Sequence, residues 1–161
     1  MTDSEKERVH YMQLALHQAR SADRIGEVPV GAIIVHEGHI IGRGYNQRET
    51  RKDVTLHAEI IAIRQACRHL NSWRLQDCDL YVTLEPCIMC AGAIVQARIR
   101  TLIYGAQDPK AGGCGSVVNI PALPLNHVVL VQGGLMAEES AELLRQFFQR
   151  RRRQSSGISN D

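Results

Sequence analysis

The feature that most restricts how this chain can fold is a pair of short motifs, H-A-E at residues 57–59 and P-C-I-M-C at residues 86–90. Imidazole and thiol groups are ligands that zinc prefers, and a catalytic zinc ion is held by three protein ligands with a fourth position left open. His57, Cys87 and Cys90 would supply these ligands. The fold therefore has to bring two distant segments to one point, where the motifs predict a zinc site.

Both motifs are expected at the starts of helices. Cys87 and Cys90, at positions i and i+3, share one side of a helix, and Pro86 is favoured as a first helical residue. The helix dipole would stabilise both thiolates there. His57 and Glu59 would diverge in the middle of a helix, so a helix start suits them as well. Two helix N-termini then face one metal ion, with Glu59 beside it as an unpaired carboxylate.

Two other interpretations of the cysteines remain. One is a structural zinc site, which requires four protein ligands. The other is a disulfide between Cys87 and Cys90. The remaining cysteines, Cys67, Cys78 and Cys114, have no paired spacing. Neither alternative explains the carboxylate next to the histidine, which favours a catalytic site.

The pattern along the chain predicts one α/β domain over residues 1–154, followed by a disordered tail over residues 155–161. Ser4 and Glu7 form a predicted capping box for the first helix. Strand, helix and strand alternate over residues 79–104, which predicts parallel pairing, whereas residues 28–45 predict an antiparallel hairpin. Predicted helices cover residues 4–22, 57–70, 87–97 and 137–153, and predicted strands cover residues 28–35, 40–45, 79–84, 101–104 and 128–131.

The composition is that of a soluble globular protein. The chain has 161 residues, of which 44% are hydrophobic and 22% are charged, and this suits a single domain. No apolar run reaches the length of a membrane span, and the first residues do not resemble a signal peptide. The odd number of cysteines, five, fits a reducing compartment. We therefore expect a cytoplasmic protein with no membrane partner.

Nucleic-acid binding has to be argued from the distribution of charge, because the net charge is only +2. Arginines 150–153 end the last predicted helix, and acidic residues begin it. Both groups of charges interact favourably with the helix dipole, which is a sufficient explanation for their positions. Phe147 and Phe148 beside those arginines shift the balance towards RNA, since aromatic rings stack on bases and arginines bind phosphates. The long glycine-rich connection over residues 105–124 is also expected to be functional.

Taken together, several stretches resemble the bacterial tRNA-specific adenosine deaminases of the cytidine deaminase-like superfamily. The two motifs match the H-x-E and P-C-x-x-C signature of zinc deaminases, and the resemblance extends over residues 9–153. The other matching stretches are V-P-V-G-A from residue 28, L-E before Pro86, A-G-A after Cys90, Y-G-A from residue 104, Asp108, L-N-H from residue 125, and F-F followed by arginines from residue 147.

The resemblance implies a three-layer α/β/α fold with a mixed, largely parallel central sheet. It implies a hydrolase that converts the wobble adenosine of a tRNA anticodon loop to inosine and releases ammonia. One zinc ion per chain, bound by His57, Cys87 and Cys90, would activate a hydroxide for attack on adenine C6, with Glu59 as the catalytic proton shuttle.

The resemblance also implies the contacts with the substrate. Asn46 would contact the flipped nucleotide. Asp108, Lys110, Phe148 and Arg152 would contact neighbouring nucleotides of the anticodon stem-loop. The family is homodimeric, with the active site near the subunit interface, so a homodimer is expected.

Two rival functions share the predicted metal ligands. A deaminase of a free base or nucleotide, of the guanine, cytosine or cytidine type, would have the same fold, His57, Glu59 and the two cysteines. A non-catalytic RNA-binding module stabilised by zinc would have no need of Glu59. Turnover of an anticodon stem-loop, with free bases unchanged, separates the first predicted function from both rivals.

Overall fold

The computed structural model describes residues 1–158 as a central sheet covered by helices on both faces. The helices are α1 (Asp3–Arg24), α2 (Arg48–Arg51), α3 (Ala58–Leu70), α4 (Ile88–Gln96) and α5 (Ala137–Ile158). The strands are β1 (Gly31–His36), β2 (His39–Tyr45), β3 (Cys78–Leu84), β4 (Thr101–Ala106) and β5 (Leu130–Gln132). A short 3-10 helix covers Ile120–Ala122.

The five strands lie in the order β2-β1-β3-β4-β5. β1 pairs antiparallel with both β2 and β3. β3 and β4, and then β4 and β5, pair in parallel. The predicted mixed sheet is thus confirmed, with its parallel pairs on the side where strand and helix alternate. The carboxyl ends of β3 and β4 meet at one edge, which is where ligand sites form in such sheets.

The core consists of two layers, one on each face of the sheet, and β1 contributes to both. Ile33 and Val35 pack with α1 residues such as Met12. Ala32 and Ile34 face the opposite layer, which contains the buried side of α3 and α4. Burial on both faces explains why this strand is an almost continuous apolar run in the sequence.

Glycines let the helices approach the sheet closely. A Cβ atom on Gly31 would lie 2.1 Å from the carbonyl oxygen of Ala15 in α1. A Cβ atom on Gly44 would lie 2.2 Å from the carbonyl oxygen of Ala58 in α3. The first turn of α3 is therefore held directly against β2, and the residues at that helix start are fixed relative to the sheet.

The start of α1 differs from the prediction. Thr2, rather than Ser4, is the N-cap: its hydroxyl accepts a hydrogen bond from the backbone N–H of Glu5 at 3.2 Å, and its own N–H donates to the Glu5 carboxylate at 2.7 Å. Thr2 and Glu5 have the same three-residue spacing as Ser4 and Glu7 and form the complete capping box. The earlier pair adds residues to the helix, so the predicted cap was wrong.

The starts and ends of other elements also differ from expectation. Pro86 precedes the N-cap Cys87 and lies outside α4, although a first helical position was predicted for it. The helix α2 lies within a segment predicted to be a loop. The last helix continues to Ile158, so the first four residues of the predicted tail are helical. Residues 159–161 lie outside the described residues. Within residues 1–158, no helix combines the length and apolar character needed to cross a membrane.

Candidate metal centre and pocket

Two helix N-termini converge where the sequence motifs predicted a metal site. His57 is the N-cap of α3, with φ −75° and ψ 157°. Cys87 is the N-cap of α4, with φ −71° and ψ 176°. Both residues have extended backbones, so their side chains stand at the open ends of the helices. Cys90 follows in the first turn of α4 and is fully buried.

The three candidate ligand atoms have the spacing that zinc requires. His57 Nδ1 lies 3.6 Å from Cys87 Sγ and 3.6 Å from Cys90 Sγ. For Zn–S bonds of about 2.3 Å and Zn–N bonds of about 2.0–2.1 Å, tetrahedral ligands are separated by about 3.5–3.6 Å. Among the described residues, these three form the only His/Cys/Asp/Glu cluster compact enough to bind a metal ion. A zinc ion held by these three residues would keep one position for a water or substrate atom.

The structure contains neither a Cys87–Cys90 disulfide nor a metal site with four protein ligands among the described residues. All five cysteines are free thiols. Cys67, Cys78 and Cys114 do not belong to the compact cluster formed by His57, Cys87 and Cys90. The arrangement matches a catalytic site with three ligands better than a closed structural site.

The electrostatics of this cluster favour a cation. The hydrogen bond from the Cys90 thiol and the nearby His57 lower the pKa of Cys87 to about 4, against the effect of burial. The hydrogen bond to Cys87 raises the pKa of His57. The same thiol-to-thiolate hydrogen bond and burial raise the pKa of Cys90. Without a metal ion the pair therefore shares one negative charge, and a metal bound by both sulfurs releases the remaining proton.

Glu59 lies in the first turn of α3 with only 3% of its surface exposed. Burial raises the pKa of its carboxyl group to about 7, and smaller effects of its own backbone amide and His57 oppose the shift. A carboxyl group with a pKa near neutrality can both accept and release a proton in one reaction cycle. Its position beside the ligand cluster is where such a group would act.

A cavity of about 190 Å³ opens next to these groups. It is small beside the roughly 300 Å³ or more of pockets for drug-sized ligands, which suits a single flat ring. Its lining combines apolar walls with convergent polar groups: Val28, Val30, Asn46, Arg48, His57, Ala58, Glu59, Leu84, Glu85, Cys87, Asp108 and Ala111.

Asn46 directly follows the last residue of β2 and lines this pocket. Its side-chain NH₂ donates to the Val28 carbonyl at 3.3 Å, and its side-chain oxygen accepts from the Arg48 N–H at 3.2 Å. Each group has one further hydrogen-bonding position. The residue is 9% exposed, so its amide group is held in place while keeping capacity for a ligand.

The other predicted substrate contacts lie in different places. Asp108 lines the pocket, and its carboxylate accepts hydrogen bonds from the backbone N–H groups of Lys110 and Ala111 at 3.0 and 3.2 Å. The Lys110 side chain is exposed in the same turn. On α5, Phe148 is 41% exposed and Arg152 is exposed. These last three residues are not part of the pocket lining.

Two buried carboxylates near the pocket, Glu27 and Glu85, were not predicted to have a role. Glu27 is 1% exposed and accepts backbone hydrogen bonds from Glu49 and Thr50, at the start of α2. Glu85 is 2% exposed and accepts hydrogen bonds from the loop after β4. The available signal was an acidic residue directly flanking a predicted strand, 28–35 for Glu27 and 79–84 for Glu85, where charge is costly unless it is hydrogen-bonded.

Comparisons with known proteins agree with this site. The MafB19-like deaminase family matches residues 6–152. A tRNA-specific adenosine deaminase from Agrobacterium fabrum (strain C58) is 54% identical over 147 residues, 91% of this chain and 97% of that protein. A solved structure from a study of A-to-I editing by tRNA:A34 deaminases at the wobble position has 53% identity and a TM-score of 0.81, covering 84% of this chain and 99% of the other.

A guanine deaminase from Bacillus subtilis is also similar, but less so. It is 39% identical, with a TM-score of 0.59 over 66% of each chain. The match to the tRNA deaminases is closer in sequence and in fold, and it extends over nearly their whole length. The chain belongs to the MafB19-like deaminases and, among them, to the tRNA-specific adenosine deaminases.

Proposed function

We propose that this protein hydrolyses the wobble adenosine of a tRNA anticodon loop to inosine and releases ammonia. The observation that carries the proposal is the convergence of His57, Cys87 and Cys90 beside Glu59 on one base-sized pocket. Water adds at adenine C6, the C6–NH₂ bond breaks, and the purine keeps a carbonyl oxygen at that carbon. The products are inosine and ammonia, so the atoms of water and adenosine are accounted for.

The metal is proposed to be zinc, with one ion per chain. His57, Cys87 and Cys90 would hold it, since nitrogen and sulfur ligands at this spacing suit a tetrahedral zinc ion. When bound there, zinc supplies a Lewis acid that lowers the pKa of water to near neutrality.

Glu59 is proposed to move the protons. Its carboxylate takes a proton from the attacking water and delivers it to N1 of adenine. It then takes the proton of the new C6 hydroxyl group and gives it to the departing amine, which leaves as ammonia while C6 keeps a carbonyl oxygen. The pKa of about 7 produced by burial supports this double role, because the protonated and ionised forms are then close in free energy at neutral pH. Its buried position also keeps bulk water from competing for the proton.

The reactive base has to leave its stack to enter the pocket. Val28, Val30 and Leu84 offer apolar surface to the faces of a purine. Asn46 is proposed to hydrogen-bond the flipped nucleotide with the capacity that its intramolecular contacts leave over. Together these contacts would hold C6 of adenine towards the metal centre.

Neighbouring nucleotides are proposed to contact Asp108 and Lys110 in the loop after β4, and Phe148 and Arg152 on α5. Exposure of the Phe148 ring supports stacking on a base. Arg152 supports phosphate binding because no ion pair occupies it among the described residues, and Arg150 by contrast pairs with Asp23. We further propose that the protein is a homodimer and acts in the cytoplasm, where its tRNA substrate is found.

The test is inosine formation in an anticodon stem-loop RNA with adenosine at the wobble position. Free adenosine, guanine and cytidine are incubated in parallel, and zinc content is measured on the same protein sample. We expect inosine in the RNA, none of the three small substrates converted, and about one zinc ion per chain. Conversion of a free base with the RNA unchanged would reject the tRNA substrate in favour of the small-molecule deaminase.

A further inference from the structure

Glu85 is a buried carboxylate beside the metal centre that the proposed chemistry does not use. It follows the last residue of β3 and is separated from the candidate ligand Cys87 only by Pro86. Only 2% of its surface is exposed. Among the described residues, no lysine or arginine forms an ion pair with it. A buried charge without a counter-ion requires strong hydrogen bonds.

Those hydrogen bonds all come from one loop, residues 107–119, which follows β4. Oε1 accepts from the backbone N–H of Asp108 at 3.1 Å, and Oε2 accepts from the backbone N–H groups of Cys114 and Ser116 at 3.1 Å each. The Ser116 hydroxyl also donates to Oε1. The carboxylate therefore binds both ends of the loop at once, and oriented N–H groups compensate its charge.

The loop is wrapped tightly around this carboxylate. A Cβ atom on Gly112 would lie 2.2 Å from Glu85 Oε2, so only glycine fits there. The Gly113 N–H donates to the Pro86 carbonyl at 2.7 Å, and Gly112 forms an isolated bridge with Cys87. The loop thus crosses directly over the segment that carries the candidate metal ligand.

We propose that Glu85 is a positioning residue that fixes the 107–119 loop at the rim of the pocket. Its hydrogen bond to Asp108 N–H sets where that residue sits, and the Asp108 carboxylate in turn holds the backbone of Lys110 and Ala111. Asp108 and Ala111 line the pocket with Glu85. The inference rests on the proposed function, because it assigns Glu85 to substrate binding through this loop.

The test is Glu85→Gln, which keeps the size of the side chain but turns one oxygen into a hydrogen-bond donor facing N–H donors. Since the reacting groups are elsewhere, we expect KM for the stem-loop RNA to rise about tenfold, with kcat changed less than about threefold and zinc content unchanged. Glu139→Gln, on the exposed start of α5, is the matched charge control and should leave both constants unaltered.

A second measurement needs no substrate. Proteolysis of a folded loop is faster when the loop opens locally, so Glu85→Gln should speed trypsin cleavage of the Lys110–Ala111 bond about tenfold. Amide hydrogen exchange at Asp108, Cys114 and Ser116 should accelerate as well, while exchange in the middle of α1 stays the same. These readouts separate a local loss of loop anchoring from general unfolding.

Two further variants keep the test decisive if Glu85→Gln fails to fold. Gly112→Ala retains the carboxylate but displaces it from the loop, and should reproduce the selective rise in KM. Ser116→Ala removes one of the four donors and should raise KM by about threefold or less.

Unchanged trypsin cleavage and amide exchange of the 107–119 loop in every folded variant would overturn the proposal. A lower kcat with KM unaltered would overturn it as well. If the wild-type protein leaves the RNA unchanged, the proposed function fails instead. Exchange and cleavage then still decide whether Glu85 holds the loop.

Discussion

At the scale of single residues, the environment of Glu59 determines what its carboxyl group can do. The side chain is 3% exposed and lies two residues after His57. Burial raises its pKa to about 7, whereas an exposed glutamate is ionised throughout the neutral range. The group can therefore exchange a proton with substrate and with water near neutral pH.

Glu59→Gln should abolish most of the turnover without affecting the metal site. The amide has nearly the same shape but cannot accept and return a proton, so we expect kcat to fall by at least about 10²-fold. Zinc content and stem-loop binding should match those of the wild type when all three are measured on one preparation. A variant that loses zinc, or one that keeps full activity, would contradict the role proposed for this residue.

The cysteine thiols should differ sharply in reactivity when the metal is removed. Hydrogen bonding from Cys90 and the nearby His57 lower the pKa of Cys87 to about 4, so its thiolate is populated at every pH above that value. Burial raises the pKa of Cys78 to about 11 and of Cys114 to about 12, which keeps both as thiols below those values. Thiolates, rather than thiols, are alkylated.

We therefore expect iodoacetamide to label Cys87 first in chelator-treated protein, at a rate almost independent of pH between about 6 and 8. Added zinc should protect Cys87, and Cys78 and Cys114 should stay unlabelled while the protein is folded. Peptide mass spectrometry identifies the modified residue. Preferential labelling of Cys114, or labelling of Cys87 that zinc does not slow, would count against the assigned ligands.

The convergence of His57, Cys87 and Cys90 could be predicted from the sequence because each residue type and its spacing carry chemical information. Glu85 could not be assigned in the same way, although the P-C-x-x-C motif follows it directly. Its role depends on backbone N–H groups of Asp108, Cys114 and Ser116, and any residue type other than proline supplies such a group. Contacts made by the backbone leave almost no trace in the residue pattern.

At the scale of helices and strands, the helix starts carry much of the function and some of the stability. His57 and Cys87 occupy N-cap positions, yet neither side chain caps its helix by a hydrogen bond. Ordinary caps such as Ser, Thr or Asp would stabilise these helices. The two positions therefore hold candidate ligands in place of stabilising caps, and tight packing of α3 on β2 at Gly44 helps to offset the loss.

The start of α1 allows a direct comparison of Thr2, the observed cap, with Ser4, the predicted cap two positions later. Thr2→Ala should lower the free energy of unfolding by about 1 kcal/mol, because it removes the acceptor for the Glu5 N–H. Ser4→Ala should change stability little, since Ser4 lies inside the helix. Urea unfolding of both variants measures the difference. Equal effects, or a larger loss for Ser4→Ala, would contradict the assigned cap.

Element types followed well from the sequence, but some boundaries did not. The apolar run before the E-G turn indicated a buried strand, and strand β1 is buried on both faces. The predicted helical position of Pro86 was wrong because proline is also compatible with the extended backbone that precedes an N-cap. Helix α2 was missed because it has only four residues and buries none of them, so no apolar period marks it.

At the scale of the whole molecule, the three candidate metal ligands come from parts of the chain that are far apart in sequence. His57 is the N-cap residue of α3, which follows the β1–β2 hairpin. Cys87 is the N-cap residue of α4, which follows β3, and Cys90 lies in the first turn of that helix. A ligand that binds only the folded arrangement stabilises it by mass action. Metal affinity and folding stability should therefore be coupled in this protein.

Removing the metal with a chelator should lower Tm by about 5–10 °C, as expected for a ligand at about a hundred times its Kd and a domain of this size. Cys87→Ala should have a low Tm that neither chelator nor added zinc alters. Cys67→Ala is the matched control and should respond to zinc like the wild type, because Cys67 lies outside the cluster. A chelator-insensitive Tm in a wild-type sample shown to lose its zinc would contradict the coupling.

The order of the strands in the sheet could not be predicted from the sequence patterns. They indicated the hairpin and the parallel pair, but not that β3 lies next to β1 rather than β2. That placement follows from tertiary packing, in which α3 covers β2 and β1 on one face. It brings the end of β3, and with it Pro86 and Cys87, next to the start of α3.

The two sides of the pocket come from structurally different parts of the chain. The candidate ligands and Glu59 stand at the starts of helices packed against the sheet, whereas Asn46, Asp108 and Ala111 come from connecting segments at its rim. Substitutions in those segments remove little buried apolar surface. A lineage with this architecture can therefore explore new substrates one rim residue at a time while inheriting an intact reaction centre.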